Sequence, residues 1–130
     1  TPSVADVIAM GAGLDWVNAL GIERLSAWEQ WLLDHATQKL EQIDGLRIIG
    51  TAPEKAGVIS FLVDGAHAQD IGLLIDQLGV AIRTGHHCAQ PVLSHFGVEA
   101  TCRASLAVYN TPEEVDAFVE ALQRVLGMLR

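Results

Sequence analysis

The stretch VISFLVDGAHAQDIGLLIDQLGVAIR, residues 58–83, predicts the centre of the fold. Its first six residues are mostly β-branched or aromatic, which is typical of a buried strand, and an Asp-Gly turn signal follows them. Apolar side chains then recur every three or four residues, so we predict a helix over 68–78 that stops at Gly79. Residues 80–83 return to a β-rich composition and predict a second strand.

Two helices and one strand are predicted before this stretch. Apolar residues at helical spacing predict a helix over 4–20 and a second helix from Gly21 to the Asp-Gly turn at 44–45. Residues 46–49 form a short β-rich run, separated from 58–63 by a loop that contains Pro and Gly. We expect these two strands to be antiparallel neighbours.

A polar loop, a strand and a helix are predicted after the opening stretch. The loop is TGHHCAQP, residues 84–91, and the strand covers 102–108. The last helix has a clear start signal, with Thr111 as N-cap, Pro112 in the first turn and Glu114 completing a capping box. The order of elements predicts an α/β (α+β) fold in one domain, with a small, antiparallel-rich sheet covered by helices.

Composition excludes several classes of function. Half of the 130 residues are hydrophobic, so the chain can bury a real core. Its formal net charge of -8 argues against a nucleic-acid partner or a polybasic membrane surface. No apolar stretch approaches the ~20 residues of a membrane span, and no secretion signal opens the chain. The two cysteines, Cys88 and Cys102, are expected to be reduced thiols in a cytoplasmic protein.

The tripeptide His86-His87-Cys88 is the densest group of reactive side chains. A thiolate beside imidazoles and Arg83 would be stabilised by positive charge, which makes Cys88 a candidate nucleophile. The alternative is a structural cysteine, because free cysteines are often buried.

A zinc site is a weaker alternative. Its candidate ligands would be His86, His87, Cys88, His95 and Cys102. Adjacent residues of an extended chain point in opposite directions, and the spacing matches no standard zinc-ligand pair.

Arg83 and Arg103 each lie within a hydrophobic predicted strand. A guanidinium in such a setting needs an anionic partner, since burying the charge alone is costly. The partner could be an acidic side chain of this chain in a fixed salt bridge. It could instead be a substrate carboxylate, which two convergent arginines would bind well.

The remaining aromatic and imidazole side chains have ordinary interpretations. The tryptophans Trp16, Trp28 and Trp31 are at helical spacing and are expected to be packing residues. His35 and His67 are expected to be surface or helix-capping residues, and Cys102 a small core residue facing away from Arg103.

The motif RTGHHCAQP at 83–91, with CRAS at 102–105 and YNT at 109–111, resembles the C-terminal part of the SufS-type (group II) cysteine desulfurases. These are pyridoxal 5′-phosphate enzymes of the class-V aminotransferase family. The likeness extends from Thr1 to the last helix. It implies that residues 1–130 are the C-terminal small domain of a fold type I enzyme, and that the family's large domain would precede Thr1.

The resemblance also implies roles for the loop and strand residues. Cys88 would attack the sulfur of a cysteine bound to the cofactor, leaving alanine and a persulfide on Cys88. Arg103 would hold the substrate carboxylate, and Arg83 would be a second active-site arginine. His86 and His87 would support the loop.

Cofactor binding is only partly accounted for by the resemblance. Thr1 matches a threonine that reaches the cofactor phosphate of the other subunit in a homodimer. The cofactor needs a Schiff-base lysine, but Lys39 and Lys55 are the only lysines and neither has the family's Ser-x-His-Lys setting. We therefore expect both to be surface charges, the lysine to come from the large domain, and the isolated chain to be inactive.

The leading function is thus part of a cysteine desulfurase that supplies sulfur for iron–sulfur cluster assembly. The alternatives are a selenocysteine lyase of the same family and a non-catalytic interaction or metal-binding domain. Group II enzymes pass sulfur to a SufE-type protein or to a zinc-containing SufU-type protein. The zinc-dependent pairs resemble one another in using a histidine directly before the aspartate that opens the third helix. Here Gln69 precedes Asp70, so we expect a SufE-type acceptor.

Overall fold

A computed structural model describes all residues from 1 to 130 as five helices and one four-stranded sheet. The elements follow the chain in this order: α1 Val4–Leu20, α2 Ile22–Leu40, β1 Leu46–Ile49, β2 Val58–Val63, α3 Ala68–Asp76, β3 Arg83–Gly85, α4 Gln90–His95, β4 Thr101–Ser105 and α5 Pro112–Leu129. The strand order is β1-β2-β4-β3, and every pair is antiparallel. The predicted mixed fold with an antiparallel sheet is confirmed.

The helices α2, α3 and α5 cover one face of the sheet. This face carries alternate residues of the two central strands, because successive side chains of a strand point to opposite faces. Ile59 and Phe61 of β2 and Cys102 of β4 are fully buried there. The core also includes Leu32 and Leu40 of α2 among its buried side chains. The opposite face carries Ser60, Leu62, Arg103 and Ser105, which are not buried, and Thr101, which is buried.

The start of α5 has the predicted capping box. The Thr111 hydroxyl accepts a hydrogen bond from the Glu114 backbone N–H at 3.3 Å, and the Glu114 carboxylate accepts one from the Thr111 N–H at 3.0 Å. These bonds satisfy two amide groups that have no partner within the helix. The helix then buries seven side chains against the sheet and its neighbours.

Glycine fixes how closely α3 approaches the sheet. A Cβ atom built on Gly72 would lie 2.7 Å from Cγ2 of Thr84, which is too close for two carbon atoms. Only glycine allows this contact between α3 and β3. Gly72 therefore allows β3, which leads into the tripeptide His86-His87-Cys88, to lie close to α3.

The C-terminal half of the sheet differs from the predicted boundaries. The strand expected over 80–83 is wrong, because β3 covers Arg83–Gly85 and the backbone N–H of Val80 bonds to Ile75 at the end of α3. The helix α4, Gln90–His95, was not predicted and occupies the end of the expected loop. The strand β4 stops at Ser105, before a turn in which the Asn110 side chain accepts from the Ala107 N–H at 2.8 Å.

The tryptophans lie at the surface, and the prediction that they are packing residues agrees with Trp28 and Trp31, which stack, but not with Trp16, which has no stacking contact. The exposed fractions of Trp16, Trp28 and Trp31 are 55%, 37% and 48%. Trp28 stacks on Trp31, and Trp31 stacks on His35, with ring centroids 5.5 and 5.3 Å apart. His35 in turn bonds to Asp116 on α5 at 2.8 Å, so the stack runs along the outer surface of α2 and ends at α5.

Helix α1 forms as expected but buries none of its side chains. Its apolar residues Val4, Val7, Ile8 and Leu14 are all more than half exposed. They stay exposed although α1 packs beside α2. None of the five helices combines the length and the apolar character that are needed to traverse a bilayer.

Candidate active site

The two arginines lie side by side on the sheet face that the helices leave uncovered. Arg83 of β3 is directly opposite Arg103 of β4 in the antiparallel register, and Arg103 is opposite Ser60 of β2. Residues that face each other across such a pair have Cβ atoms about 5 Å apart, so like charges there repel each other. The sheet thus concentrates positive charge at one place on its open face.

Neither arginine has an acidic partner within this chain. The burial expected for both is wrong for Arg83, which is exposed at the start of β3, whereas Arg103 is half-buried. The ion pairs of the structure join Asp116 to His35 and Lys39, on α2 and α5. The Nε atom of Arg103 is buried without any hydrogen-bond partner. The fixed salt bridge considered as an alternative is therefore absent, and the uncompensated guanidinium pair is suited to an external anion such as a carboxylate.

Cys88 lies at the tip of a tight turn beside these arginines. The turn is closed by a hydrogen bond of 2.9 Å from the Ala89 N–H to the His86 carbonyl. Its two central residues, His87 and Cys88, have φ angles of 55° and 56°. This left-handed conformation costs a non-glycine residue about 1–2 kcal/mol. The sequence around the loop has no Asn-Gly or Asp-Gly signal for such a turn.

The Cys88 thiol is exposed and points towards Arg83. Its Sγ atom lies 3.9 Å from Nη2 of Arg83, which is within the range of a weak hydrogen bond to sulfur. A guanidinium in this position stabilises a thiolate, which is the nucleophilic form of cysteine. Cys88 is thus an accessible thiol next to a positive charge rather than a structural core residue.

The histidines beside Cys88 bind the backbone and a neighbouring strand instead of the thiol. Nδ1 of His86 accepts from the Cys88 N–H at 3.1 Å. Nε2 of His87 lies 3.1 Å from the carbonyl oxygen and 2.9 Å from Oγ1 of Thr101. The expectation that imidazoles stabilise the thiolate directly is therefore wrong, because the cation beside Sγ is the Arg83 guanidinium. Thr101, which is 2% exposed, is a supporting residue that the sequence did not single out.

The environment of His87 favours its neutral form. Burial lowers the pKa of His87 below its usual range. The positive charges of Arg103 and Arg83 lower this pKa further, and the hydrogen bond with Thr101 opposes them. A second positive charge next to the arginine pair is thus disfavoured.

Cys102 is the buried counterpart of Cys88. Its Sγ donates to the Ala68 carbonyl at 3.6 Å, and the residue is completely buried between β4 and α3. Burial raises the pKa of the Cys102 thiol to about 12. The prediction that it is a core residue facing away from Arg103 agrees with this position, and its thiol is unreactive at neutral pH.

Other candidate residues lie away from this cluster. His67 is the N-cap of α3, where its Nδ1 accepts from the Gln69 N–H at 3.3 Å. His95 is exposed on α4 and contacts Phe96 edge to face. Thr1 is exposed ahead of α1. No three metal-binding side chains of the chain converge as a metal site would require.

The lysines do not reach the arginine pair. Lys39 on α2 pairs with Asp116 at 3.0 Å, and Lys55 lies in the loop between β1 and β2. The structure therefore presents an anion-binding, thiol-bearing surface without a nearby primary amine.

Comparison with known proteins identifies the family to which this chain belongs. The family model for aminotransferase class-V matches residues 1–118. The chain belongs to this family. Its sequence is 51% identical over 129 residues to a probable cysteine desulfurase of Xylella fastidiosa (strain 9a5c), covering 99% of this chain and 31% of that protein. It is 48% identical over 125 residues to a cysteine desulfurase of Synechococcus elongatus, covering 96% of this chain and 20% of that protein.

Solved structures show the same backbone arrangement. The cysteine desulfurase CsdA from Escherichia coli, in an S-sulfonic acid form, has a TM-score of 0.94 and 37% identity over 100% of this chain and 32% of its own. The apo cysteine desulfurase from Thermococcus onnurineus NA1 has a TM-score of 0.93 and 33% identity, covering 99% of this chain and 32% of its own. The chain therefore spans about a third of the length of these class-V aminotransferase structures.

Proposed function

We propose that residues 1–130 are the C-terminal small domain of a SufS-type, group II cysteine desulfurase. The observation that carries this proposal is the exposed Cys88 thiol, whose Sγ lies 3.9 Å from Nη2 of Arg83. Arg83 and Arg103 face each other across two strands, and neither has an acidic partner. A cysteine substrate offers two matching groups, a carboxylate for the arginines and a sulfur atom for the thiol. The desulfurase relatives support this assignment over 99% of the chain.

The reaction leaves its sulfur on this chain. L-Cysteine loses its Cβ–S bond and becomes L-alanine, while the sulfur joins Cys88 as a persulfide, R–S–SH. The carbon is reduced and the sulfur is oxidised, so no external oxidant is needed. Pyridoxal 5′-phosphate, when bound, supplies the electron sink that allows the Cβ–S bond to break. Arg103 and Arg83 hold the substrate carboxylate, and the turn presents Sγ of Cys88 to the substrate sulfur.

A large domain must complete the enzyme, because this chain has no lysine at the arginine pair. The exposed apolar face of α1 supports such a domain, since its Val4, Val7 and Ile8 have nothing to pack against in this chain. We expect Thr1, just ahead of α1, to reach the cofactor phosphate of the second subunit of a homodimer. The isolated chain should be inactive and should hold no pyridoxal phosphate covalently at the arginine pair, because neither of its lysines lies there.

The sulfur acceptor is proposed to be a SufE-type protein in a pathway of iron–sulfur cluster assembly. Gln69 is exposed in the first turn of α3, where the zinc-dependent pairs use a histidine, and an amide is a poor zinc ligand. The nearby His67 already uses Nδ1 to cap the helix. Two reduced cysteines support a cytoplasmic location.

The experiment that tests the function measures where the sulfur goes. The full-length protein, loaded with pyridoxal phosphate, is incubated with L-cysteine, and alanine release and sulfur addition to the Cys88 peptide are measured by mass spectrometry. Cys88→Ser should abolish both because a hydroxyl cannot accept the sulfur, whereas the matched variant Cys102→Ala should retain both. Undiminished alanine release by Cys88→Ser would remove Cys88 from the mechanism.

Acceptor choice is tested by adding each partner separately. SufE-type protein should stimulate turnover, and SufU-type protein should not. Stimulation by the zinc protein alone, lost when zinc is removed, would overturn the acceptor assignment and leave the desulfurase assignment intact.

A further inference from the structure

The turn that carries Cys88 is held by side chains rather than by a favourable turn sequence. Its two central residues have the φ > 0 conformation of a type I′ turn, where Asn and Gly are the usual residues. His87 and Cys88 occupy these positions instead. Something outside the turn must therefore maintain this conformation.

The imidazoles of His86 and His87 provide that support through two different contacts. Nδ1 of His86 binds the Cys88 N–H within the turn. Nε2 of His87 reaches Thr101 on β4 and contacts both its carbonyl oxygen and its hydroxyl. Thr101 is buried and lies two residues before Arg103 on the same strand. The second contact therefore ties the thiol-bearing turn to the strand of the anion-binding arginine.

The partners also determine where the imidazole protons lie. A carbonyl oxygen can only accept, so the bond from His87 to this oxygen uses a hydrogen on Nε2. Nδ1 of His87 is buried with no partner, which disfavours a second proton there. Gly85 of β3 lies opposite Thr101 in the register, and the charged groups near His87 are Arg83 and Arg103. His87 is thus a neutral donor whose basic nitrogen, Nδ1, is buried without a partner.

We propose that His87 is a positioning residue for the Cys88 thiol and acts through Thr101. This inference rests on the proposed desulfurase function and deepens it. The bond fixes the distance between the thiol and the arginine pair, so that the substrate sulfur meets Sγ while its carboxylate is held. Loss of the bond should slow sulfur transfer and leave substrate capture intact, because Arg83 and Arg103 stay on their strands.

The test compares His87→Ala, His87→Gln and the control His95→Ala in the full-length protein. A glutamine amide N–H can reach the position of Nε2, whereas alanine cannot. His95 is an exposed histidine on α4 with no bond to the turn or to β4. Amide hydrogen exchange of the 84–89 segment and the kcat and KM for L-cysteine are measured for each variant, with the melting temperature as a check on folding.

We expect exchange of the 84–89 segment to be about 3- to 10-fold faster in His87→Ala, the fold-change for one lost hydrogen bond. The kcat should fall by about 100-fold, as expected when a reacting group is misplaced by an ångström, with KM within threefold of wild type. His87→Gln should recover most of both properties, and His95→Ala should change neither.

Wild-type exchange in His87→Ala, or a rise in KM with unchanged kcat, would overturn the proposal. So would a His87→Gln variant that melts like wild type but behaves like alanine. If His87→Ala does not fold, His87→Asn decides, since its shorter amide cannot reach the Thr101 carbonyl. It should speed exchange, and an unchanged rate would contradict the proposal. A wild-type protein that does not desulfurate cysteine defeats the proposed function, and hydrogen exchange still decides the role of His87.

Discussion

The two cysteines are fourteen positions apart in sequence, but the fold gives them opposite properties. Cys88 is exposed on a left-handed turn beside a guanidinium, and Cys102 is fully buried in the core between the sheet and the helices. The same functional group is therefore available as a nucleophile in one place and serves as a small packing residue in the other. Chemical role follows from backbone conformation and neighbouring charge.

The neighbouring strand residues reinforce this contrast. Cys102 and Arg103 are adjacent on β4, so their side chains point to opposite faces of the sheet. Helices cover the face that carries Cys102 and exclude water from it, and the other face carries Arg103 opposite Arg83. A single strand thus contributes to the core and to the candidate active site.

The largest expected difference is in thiol reactivity. With limited iodoacetamide at neutral pH, Cys88 should be alkylated at least about 1,000-fold faster than Cys102, because the buried thiol reacts only when the structure opens. Mass spectrometry of the two cysteine peptides measures the ratio. In denaturant the two rates should become similar, which serves as the control. Comparable rates in the folded protein would contradict the contrast between the two environments.

A substitution on the open face of β4 should affect substrate capture. Arg103→Ala should raise the KM for cysteine in the full-length protein by about 30- to 1,000-fold, which corresponds to about 2 to 4 kcal/mol for a desolvated carboxylate contact. Steady-state kinetics measure this change, and Arg124→Ala on the exposed surface of α5 is the matched control. A normal KM in Arg103→Ala would mean that another group binds the carboxylate.

Sequence periodicity predicted most elements because their apolar faces are packed in the final structure. Helix α5 shows the clearest agreement, with its capping box at Thr111 and Glu114 and its buried stripe. The errors lie where tertiary contacts decide the boundaries. Val80 is β-branched but bonds to the end of α3, so the strand begins at Arg83 instead.

The candidate site was predictable in part from the sequence. Residue types indicated Cys88, because its thiol lies in a polar loop next to histidines and an arginine. They also indicated the two arginines, because a guanidinium is unusual in a predicted hydrophobic strand. The direct opposition of Arg83 and Arg103 follows from strand register, which no local pattern encodes. The role of Thr101 also depends on a contact across the fold, fourteen residues from His87. Trp28 and Trp31 have core-like spacing, yet they lie on an outer face of α2.

A further predicted effect concerns the buried thiol at alkaline pH. The pKa of Cys102 is raised to about 12 in the folded state, whereas an unfolded cysteine titrates near its ordinary value of about 8.5. Above that ordinary value the unfolded chain loses the proton while the folded chain keeps it, so the free energy of unfolding falls as pH rises. The decrease should approach about 1.4 kcal/mol per pH unit and end near the folded-state pKa.

Cys102→Ala removes this titrating group without placing a polar atom in the core. Urea unfolding of both proteins between pH 8 and 11 gives the difference in their stability at each pH. The alanine variant should be less stable than wild type at pH 8, because it loses buried volume and the hydrogen bond to Ala68. Its disadvantage should shrink steadily above about pH 9, since only the wild type carries the thiol that ionises on unfolding. A stability difference that stays constant across this range would show that Cys102 does not keep its proton in the folded state.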